Sequence, residues 1–540
     1  MADEYDYIII GAGSAGSVLA NRLSAGDATI CLLEAGPPDR NPWIHIPAGF
    51  TKTLIHPTIN WNYESEPSAG TAGRKVYAPR GKTLGGSSSI NGHVYNRGQR
   101  MDFDTWAQMG NRGWGYADVL PYFKRSERRV GAAEAGYHGH EGEWTITDIE
   151  ERDPVCDAFI DGAVGLGIPR NPDYNGANQA GVGYFQRAVA GGRRVSAARA
   201  FLHPVKHRPN LDIRTDAHAQ RILFDGRRAV GVRFRQGGRL IELRARREVI
   251  LSSGSVGSPQ LLQISGVGPA GLLKKLGVDV VHDLPAVGEN LSDHYLVRVA
   301  ARVRNGRTIN ERARGLSLVG EVLKYAFTRK GLLAMTPSQA FVFWKSHEAM
   351  DSPDLQVIFT PGSYKDGRIA MLEDYPGMTV ASFAMRPLST GYIRARTANA
   401  DDKPEIQPNY LAHEYDRQVT VGGLKLVRRL LRTPQLAHFY EHETVPGDAV
   451  QSDDELLDFA RRYGTTVFHL MGTCRMGAGD DANSVVTDEL KVRGVEGLRV
   501  VDASVMPTMP SANTNASTIM IAEKASDIIL GKPPLPAASV

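Results

Sequence analysis

The sequence predicts an α/β protein in which a dinucleotide-binding domain is intertwined with a second domain. Three observations carry this reading. Residues 5–36 hold a strand, a glycine loop, a helix, a second strand and a terminal acid in close succession. The same glycine-rich style returns near residue 254 and again after residue 463, whereas the stretch from about 295 to 463 has longer helices and most of the mid-chain aromatics. The chain's 540 residues also exceed what one hydrophobic core usually serves.

The first unit is the most explicit. Tyr7-Ile8-Ile9-Ile10 is an apolar run without a polar break, the pattern of a strand buried on both faces. Gly11-Ala12-Gly13-Ser14-Ala15-Gly16 follows at once, Ser17 to Ser24 reads as a helix, and Thr29 to Leu33 is a second buried run ending in Glu34. Gly-x-Gly-x-x-Gly in that setting is a dinucleotide fingerprint. Gly11 makes the tight turn, and Gly13 lets the backbone approach a pyrophosphate that the helix N-terminus favours. Gly16 permits close helix–strand packing, and Glu34 accepts from the adenosine ribose hydroxyls, with Ser14, Ala15 and Ala35 completing the contacts. This stretch alone leaves FAD and NAD both open.

Composition excludes several classes. Apolar residues make up 42% and charged residues 23%, ordinary for a soluble globular chain. Net charge is +4, with no basic block dense enough for nucleic acid; Arg244-Ala245-Arg246-Arg247 is short, precedes a strand and reads as a solvated face. The acidic Met1-Ala2-Asp3-Glu4 runs straight into the first strand, which leaves no room for a secretory or transit peptide. No apolar run approaches the ~20 residues of a membrane span. Cys31, Cys156 and Cys474 are an odd, scattered set that suggests a reducing compartment without a disulfide framework. The expectation is a cytoplasmic protein, monomer or homodimer, with no nucleic-acid partner and no assigned metal ligand.

Further along, residues 37–78 are rich in Pro, Trp and Asn and read as an excursion over the surface or the cofactor. Phe103 to Arg125 reads as two helices. Asn210 to Ile250 alternates apolar and polar residues around turns at Asp225-Gly226 and Gly237-Gly238, the pattern of hairpin strands. Val249 to Gly254 is another buried strand, followed by Gly254 to Pro259 and a helix from Gln260 to Ser265. Leu316 to Thr328 and Glu414 to Leu431 read as helices, Asp354 to Thr360 and Gly377 to Arg386 as strands, and the small, Pro-rich tail from Gly531 as disordered.

Longer motifs then narrow the class. Gly81-Lys-Thr-Leu-Gly-Gly-Ser-Ser-Ser-Ile-Asn-Gly-His-Val-Tyr95 resembles the first signature of the glucose–methanol–choline (GMC) oxidoreductases, and Gly254 to Gly268 resembles the second. His469-Leu-Met-Gly-Thr-Cys-Arg-Met-Gly477 and the run from Asp502 to Asn515 are similar to the family's C-terminal motifs, so the likeness spans essentially the whole chain, with bacterial choline-dehydrogenase-like members as its nearest type. The resemblance implies FAD and an α/β (α+β overall) fold. That fold is a Rossmann-type FAD-binding domain at 1–150, 190–295 and 464–540, with a discontinuous substrate-binding domain at 151–189 and 296–463 built on an antiparallel sheet flanked by helices. It further implies that Arg80, Gly81, Leu84, Gly85, Gly86 and Ser87 crowd the pyrophosphate and flavin edge, and that Asn91, Gly92, His93 and Val94 lie along the isoalloxazine. Ala219 falls where the family contacts adenine, Ser253 and Gly254 in the second signature, Asp502 and Ala503 at the phosphate–ribityl portion, and Asn515 near the flavin C2 carbonyl. Some members attach FAD through a His just before the signature Asn; Ile90 stands there, so FAD is expected to be non-covalent.

A flavin enzyme that oxidises an alcohol must hold the carbinol carbon ~3–3.5 Å from flavin N5 and provide a base for the hydroxyl proton. Histidine suits that role because its pKa of about 6.5 lies near working pH. Among 15 His, His469 opens the loop that resembles the family's catalytic motif, although Leu470 follows it where Pro is common. The resemblance makes His469 the base and Asn513 the partner that donates to the developing alkoxide. For substrate contacts the candidates are Trp61, His93, Gln339, Phe343 and Phe468. Choline-type relatives commonly carry Glu where Gln339 stands, so a neutral primary alcohol with an apolar or aromatic body is expected, oxidised to the aldehyde. Choline-type oxidation and a non-redox, hydroxynitrile-lyase-like use of the scaffold are the alternatives, and oxygen and a quinone-like carrier both stand as electron acceptors.

Overall fold

The computed structural model of the chain describes residues 4–365 and 371–540. Its first sheet has seven strands. Leu211–Arg214, Ile30–Leu33, Glu4–Ile10 and the C-terminal half of Arg239–Leu251 run parallel in that order, and Leu498–Val500 pairs parallel with Arg239–Leu251 as well. The N-terminal half of Arg239–Leu251 turns back antiparallel through Arg228–Gln236 to Ala217–Asp225, so one long strand joins both halves of the sheet. Ile8, Ile9, Ile30 to Leu32 and Val249 to Leu251 have no exposed surface, as expected of parallel strands covered on both faces. The helices Ser14–Leu23 and Thr514–Ile529 pack on each other against this sheet, which brings the C-terminal glycine-rich segment to the first loop.

The second sheet is antiparallel throughout, in the order Tyr440–Val445, Tyr295–Val303, Gly377–Ala384, Leu355–Thr360, Ala340–Trp344, Gly181–Tyr184. Its period-2 alternation decides what faces what. Val297, Val299, Leu355, Val357, Phe359, Met378 and Val380 point toward the helices Glu414–Leu431 and Pro154–Gly165 and form the second core, where Phe159 stacks on Phe359 at 4.3 Å. The alternate residues Leu296, Arg298, Gln356, Ile358, Thr360, Thr379, Ala381 and Phe383 face a cleft between the two sheets. Among the described residues no helix is long and apolar enough to cross a membrane.

Several local expectations shift. The helix expected from Gln260 begins at Gly254 and runs to Ile264, with Pro259 inside it. Pro259 has no N–H to give the Ser255 carbonyl one turn back; the Thr473 hydroxyl donates to that oxygen instead, at 2.7 Å. The first helix likewise starts at Ser14 rather than Ser17. The tail beyond Gly531 carries no regular element, yet it is docked rather than free. Leu535 N donates to Tyr122 Oη at 3.1 Å and Ala538 N to Ala117 O at 2.8 Å, with Leu535, Ala538 and Val540 packed on the first core.

Two glycines carry geometric demands that no other residue meets. At Gly11 (φ +102°) a Cβ would lie 2.4 Å from Ser252 O, and at Gly16 a Cβ would lie 1.9 Å from Gly11 O. Gly16→Ala therefore pushes the first helix off the first strand. A destabilisation of about 1–3 kcal/mol is expected, together with loss of bound FAD from the purified protein, measured by denaturant unfolding and by the flavin-to-protein absorbance ratio.

Candidate active site

A cleft of about 520 Å³ runs from the first glycine loop to the face of the second sheet. At one end lie Gly11, Gly13, Ser14, Ala15, Glu34, Ala35 and Ala219, with Arg80, Gly81, Ser87 and Asn91 to Val94 beside them. Ser253, Gly254, Asp502, Ala503 and Asn515 also line it. Gly16, Leu84 and Gly85 stand behind the wall: Leu84 N donates to Pro37 O and Gly85 N to Ala12 O. The excursion 37–78 supplies Phe50, Leu54, Trp61 and Tyr63 to the same wall.

This end fits a dinucleotide. A Cβ at Gly13 would meet nothing nearer than Gly86 Cα at 4.0 Å, so the helix N-terminus behind it faces open space that a pyrophosphate suits. Gly86 (φ +51°) approaches Gly13 so closely that its own Cβ would lie 2.7 Å from Gly13 Cα, which locks the two glycine loops together. The Glu34 carboxylate accepts from Ala12 N and Gly36 N, and burial pushes its pKa up to about 7. Two further features escaped the sequence reading. Arg194 is buried and donates to Ser88 O, Asn91 O and Asn91 Oδ1, pinning the second loop; burial lowers its pKa to about 9. The carboxylate of Asp502 is spent inside the protein, accepting from Gly254 N, Ser258 Oγ and Ser504 N, so any ligand contact at 502 falls to the backbone.

At the other end His469 and Asn513 come together, with His469 Nε2 and Asn513 Nδ2 3.0 Å apart. Two neighbouring residues that the sequence reading missed hold His469. Asp293 Oδ1 accepts from the His469 backbone N at 2.7 Å, while its Oδ2 accepts from Thr466 Oγ1 and Tyr410 Oη. His294 Nδ1 lies 2.8 Å from His469 Nδ1, and its Nε2 lies 2.7 Å from Met385 O.

These contacts fix the tautomers. Met385 O can only accept, so His294 Nε2 carries the proton and His294 Nδ1 is a lone pair. His469 Nδ1 must then be the donor, which leaves a lone pair on His469 Nε2 facing the Asn513 amide. Burial lowers the His294 pKa to about 4, and burial, then His294, then the Arg80 cation, hold His469 well below the usual value; both rings are neutral at neutral pH. The arrangement presents a neutral imidazole lone pair and an amide N–H to one point in the cleft. Asn513 also stands at the N-cap position of the helix Thr514–Ile529, without a side-chain capping bond, so the helix's N-terminal dipole reaches the same point, and Ser14 Oγ donates to Asn515 Oδ1 at 2.5 Å.

The substrate candidates divide. Phe468, His93 and Trp61 line the cleft. His93 is buried with Nε2 on Pro47 O at 3.0 Å. Trp61 stands beside the Ala219 segment, its ring 5.3 Å from His218 and with Lys82 Nζ 4.5 Å from its centroid. Gln339 and Phe343 do not line the cleft. Gln339 Nε2 turns to Thr336 O, and Phe343 is covered by Tyr174, 5.4 Å away, in a separate cluster with Phe185, Phe341 and Met385. Gln339 therefore offers no test of substrate charge. The cleft wall bears on it: among the described residues its carboxylates are Glu34 and Asp502, and neither lies on the second sheet's face.

Fold and site together define a flavin-dependent oxidoreductase, and sequence comparison agrees. Models of the GMC oxidoreductase family match residues 5–296 and 387–522, and the chain belongs to that family. It is an FAD-dependent oxidoreductase of CH–OH donors. It is 44% identical to an alcohol dehydrogenase [acceptor] of Pseudomonas putida over 98% of this chain and 96% of that protein. It is 41% identical to an oxygen-dependent choline dehydrogenase of Vibrio vulnificus, over 99% and 96%. Among solved structures it resembles pyridoxine 4-oxidase from Mesorbium loti, with a TM-score of 0.87, 30% identity and coverage of 97% and 98%.

Proposed function

We propose that this protein oxidises a neutral primary alcohol with an apolar body to the aldehyde, with His469 as base and Asn513 as the donor to the forming alkoxide. The observation that carries the reading is the 3.0 Å pairing of a neutral His469 Nε2 lone pair with the Asn513 amide. FAD, when bound, supplies the acceptor for the carbinol hydride. An entering hydroxyl replaces the resting contact: its proton turns to His469 Nε2, and Asn513 Nδ2 donates to the same oxygen as negative charge grows there. His294 keeps His469 in the receptive tautomer, and its Nδ1 lone pair then faces the Nδ1–H of the imidazolium. The helix Thr514–Ile529 directs its positive end at the cleft, where it would favour negative charge on a bound flavin. Asn91 to Val94, with Gly81 and Ser87, would hold the isoalloxazine side, and Gly11 to Ala15 with Glu34 the adenosine and pyrophosphate. Ile90 has no nucleophilic atom, which supports a non-covalent cofactor.

We assign the Rossmann-type FAD-binding domain to 1–150, 190–295 and 464–540, and the substrate-binding domain, on its antiparallel sheet, to 151–189 and 296–463. The pairing of Gly181–Tyr184 with Ala340–Trp344 and of Leu498–Val500 with Arg239–Leu251 supports those boundaries.

The choline dehydrogenase relative makes choline the second reading. Among the described residues the substrate side is walled by Leu296, Ile358, Ala381, Phe383, Val467 and Phe468, and none of these offers a carboxylate to a quaternary ammonium. Turnover is expected with aliphatic and benzylic primary alcohols at a KM at least about tenfold below that for choline. A lower KM for choline, with no turnover of the neutral alcohols, would reverse the assignment.

A further inference from the structure

The helix Gly315–Thr328 is inside out. A surface helix ordinarily turns its apolar stripe to the core and its polar face to water. Here Tyr325 is the buried residue, and polar contacts tie the helix to the protein. Tyr325 Oη donates to Gly192 O at 2.9 Å, Arg312 donates to Glu321 at 2.8 Å, and Lys324 reaches Glu151 at 2.8 Å. On the outer side Leu316, Val319, Leu323 and Phe327, spaced three and four apart, are 90%, 54%, 52% and 85% exposed. A contiguous stripe of that size on a protein surface marks a place where something apolar docks.

The flanks say what kind of surface it fits. Residues 304–330 hold seven Lys or Arg against two Glu, in a chain whose whole net charge is +4. Among the described residues Glu150, Glu151 and Asp374 take up three of those cations, which leaves the rim of the stripe net positive. A second copy of this chain would bring two positive rims together; anionic headgroups would neutralise one. We propose that this helix docks flat on an anionic lipid surface, its apolar stripe sunk to the headgroup–acyl boundary and its cations among the headgroups. The helix packs beside Leu332–Ala334, and that turn packs on Pro47–Gly49. Phe50, Leu54 and Pro337, from the same two segments, line the cleft, so docking sets the substrate side next to the lipid.

The test is co-sedimentation of the full-length, FAD-loaded protein with sucrose-loaded vesicles of phosphatidylcholine and phosphatidylglycerol, and of phosphatidylcholine alone. The protein is expected to bind the mixed vesicles. Leu316→Glu and Phe327→Glu should each lower the partition coefficient about tenfold or more. Leu240→Glu, which alters a 63% exposed side chain on a hairpin of the first sheet, should leave it unchanged. All three variants should turn over a water-soluble alcohol with a soluble dye as the wild type does. No vesicle binding, binding indifferent to the anionic lipid, or binding untouched by both helix substitutions would overturn the proposal. So would a light-scattering dimer that both helix variants convert to monomer, since that outcome gives the stripe to a second copy.

Discussion

His469→Ala is expected to slow alcohol-driven reduction of the flavin by about 10²–10⁴-fold while FAD stays bound. In the proposed mechanism the substitution removes the Nε2 lone pair that would take the hydroxyl proton and leaves the Asn513 amide to hold the alkoxide alone. It should not unfold the loop. Asp293 grips residue 469 through its backbone N, at 2.7 Å, and that contact survives truncation of the side chain. The glycine loops and Glu34 at the other end of the cleft are untouched, so the cofactor content of the variant separates loss of a base from loss of a site. Rapid-mixing absorbance under anaerobic conditions reads the rate. Reduction at the wild-type rate would remove His469 from the mechanism.

His294→Phe carries the second-largest effect, about 10- to 100-fold on the same rate. Phe keeps a ring beside Phe383, which lies 4.8 Å from the His294 ring, but it takes away the acceptor that fixes the His469 tautomer. A positioning role has a signature that mere packing lacks. The His469 pKa is held well below 6.5, by burial first and by His294 second. With the unprotonated ring as the proposed base, the rate should be flat through neutral pH and lost only as pH falls through that depressed value. Removing His294 lets the His469 pKa rise, which moves the acid limb of the profile to higher pH. A slower enzyme with an unmoved acid limb would reduce His294 to a packing residue.

The dinucleotide end was readable because its information is local. Strand, glycines, helix and acid follow one another within residues 5–36, and each glycine answers to a backbone approach that the neighbouring strand imposes, such as the 1.9 Å that a Gly16 Cβ would leave to Gly11 O. The His469–Asn513 pair was reached through resemblance, since both sit in motifs of one C-terminal segment. Asp293 and His294 were not reached. They stand at the entry to the strand Tyr295–Val303, and the fold alone brings them to a loop far along the chain. The one trace they left is a polar Asp-His pair set directly before an apolar strand. Gln339 and Phe343 were misplaced for a different reason. Alternation puts Phe341 and Phe343 on the cleft side of their sheet, but Tyr174 and Phe185 cover that strand, and no sequence pattern declares which strand is covered. The helix Gly315–Thr328 was legible as a helix; that its apolar stripe faces outward was not, because periodicity gives two faces without saying which one meets the protein.

The most direct measurement of the central claim is the visible spectrum of the purified, FAD-loaded protein, taken anaerobically before and after addition of a panel of primary alcohols. Bleaching of the flavin band near about 450 nm by neutral aliphatic or benzylic alcohols, much slower in His469→Ala, is the predicted result. A flavin spectrum that no alcohol changes, with the cofactor fully bound, would contradict the account and turn the site toward non-redox chemistry on the same scaffold.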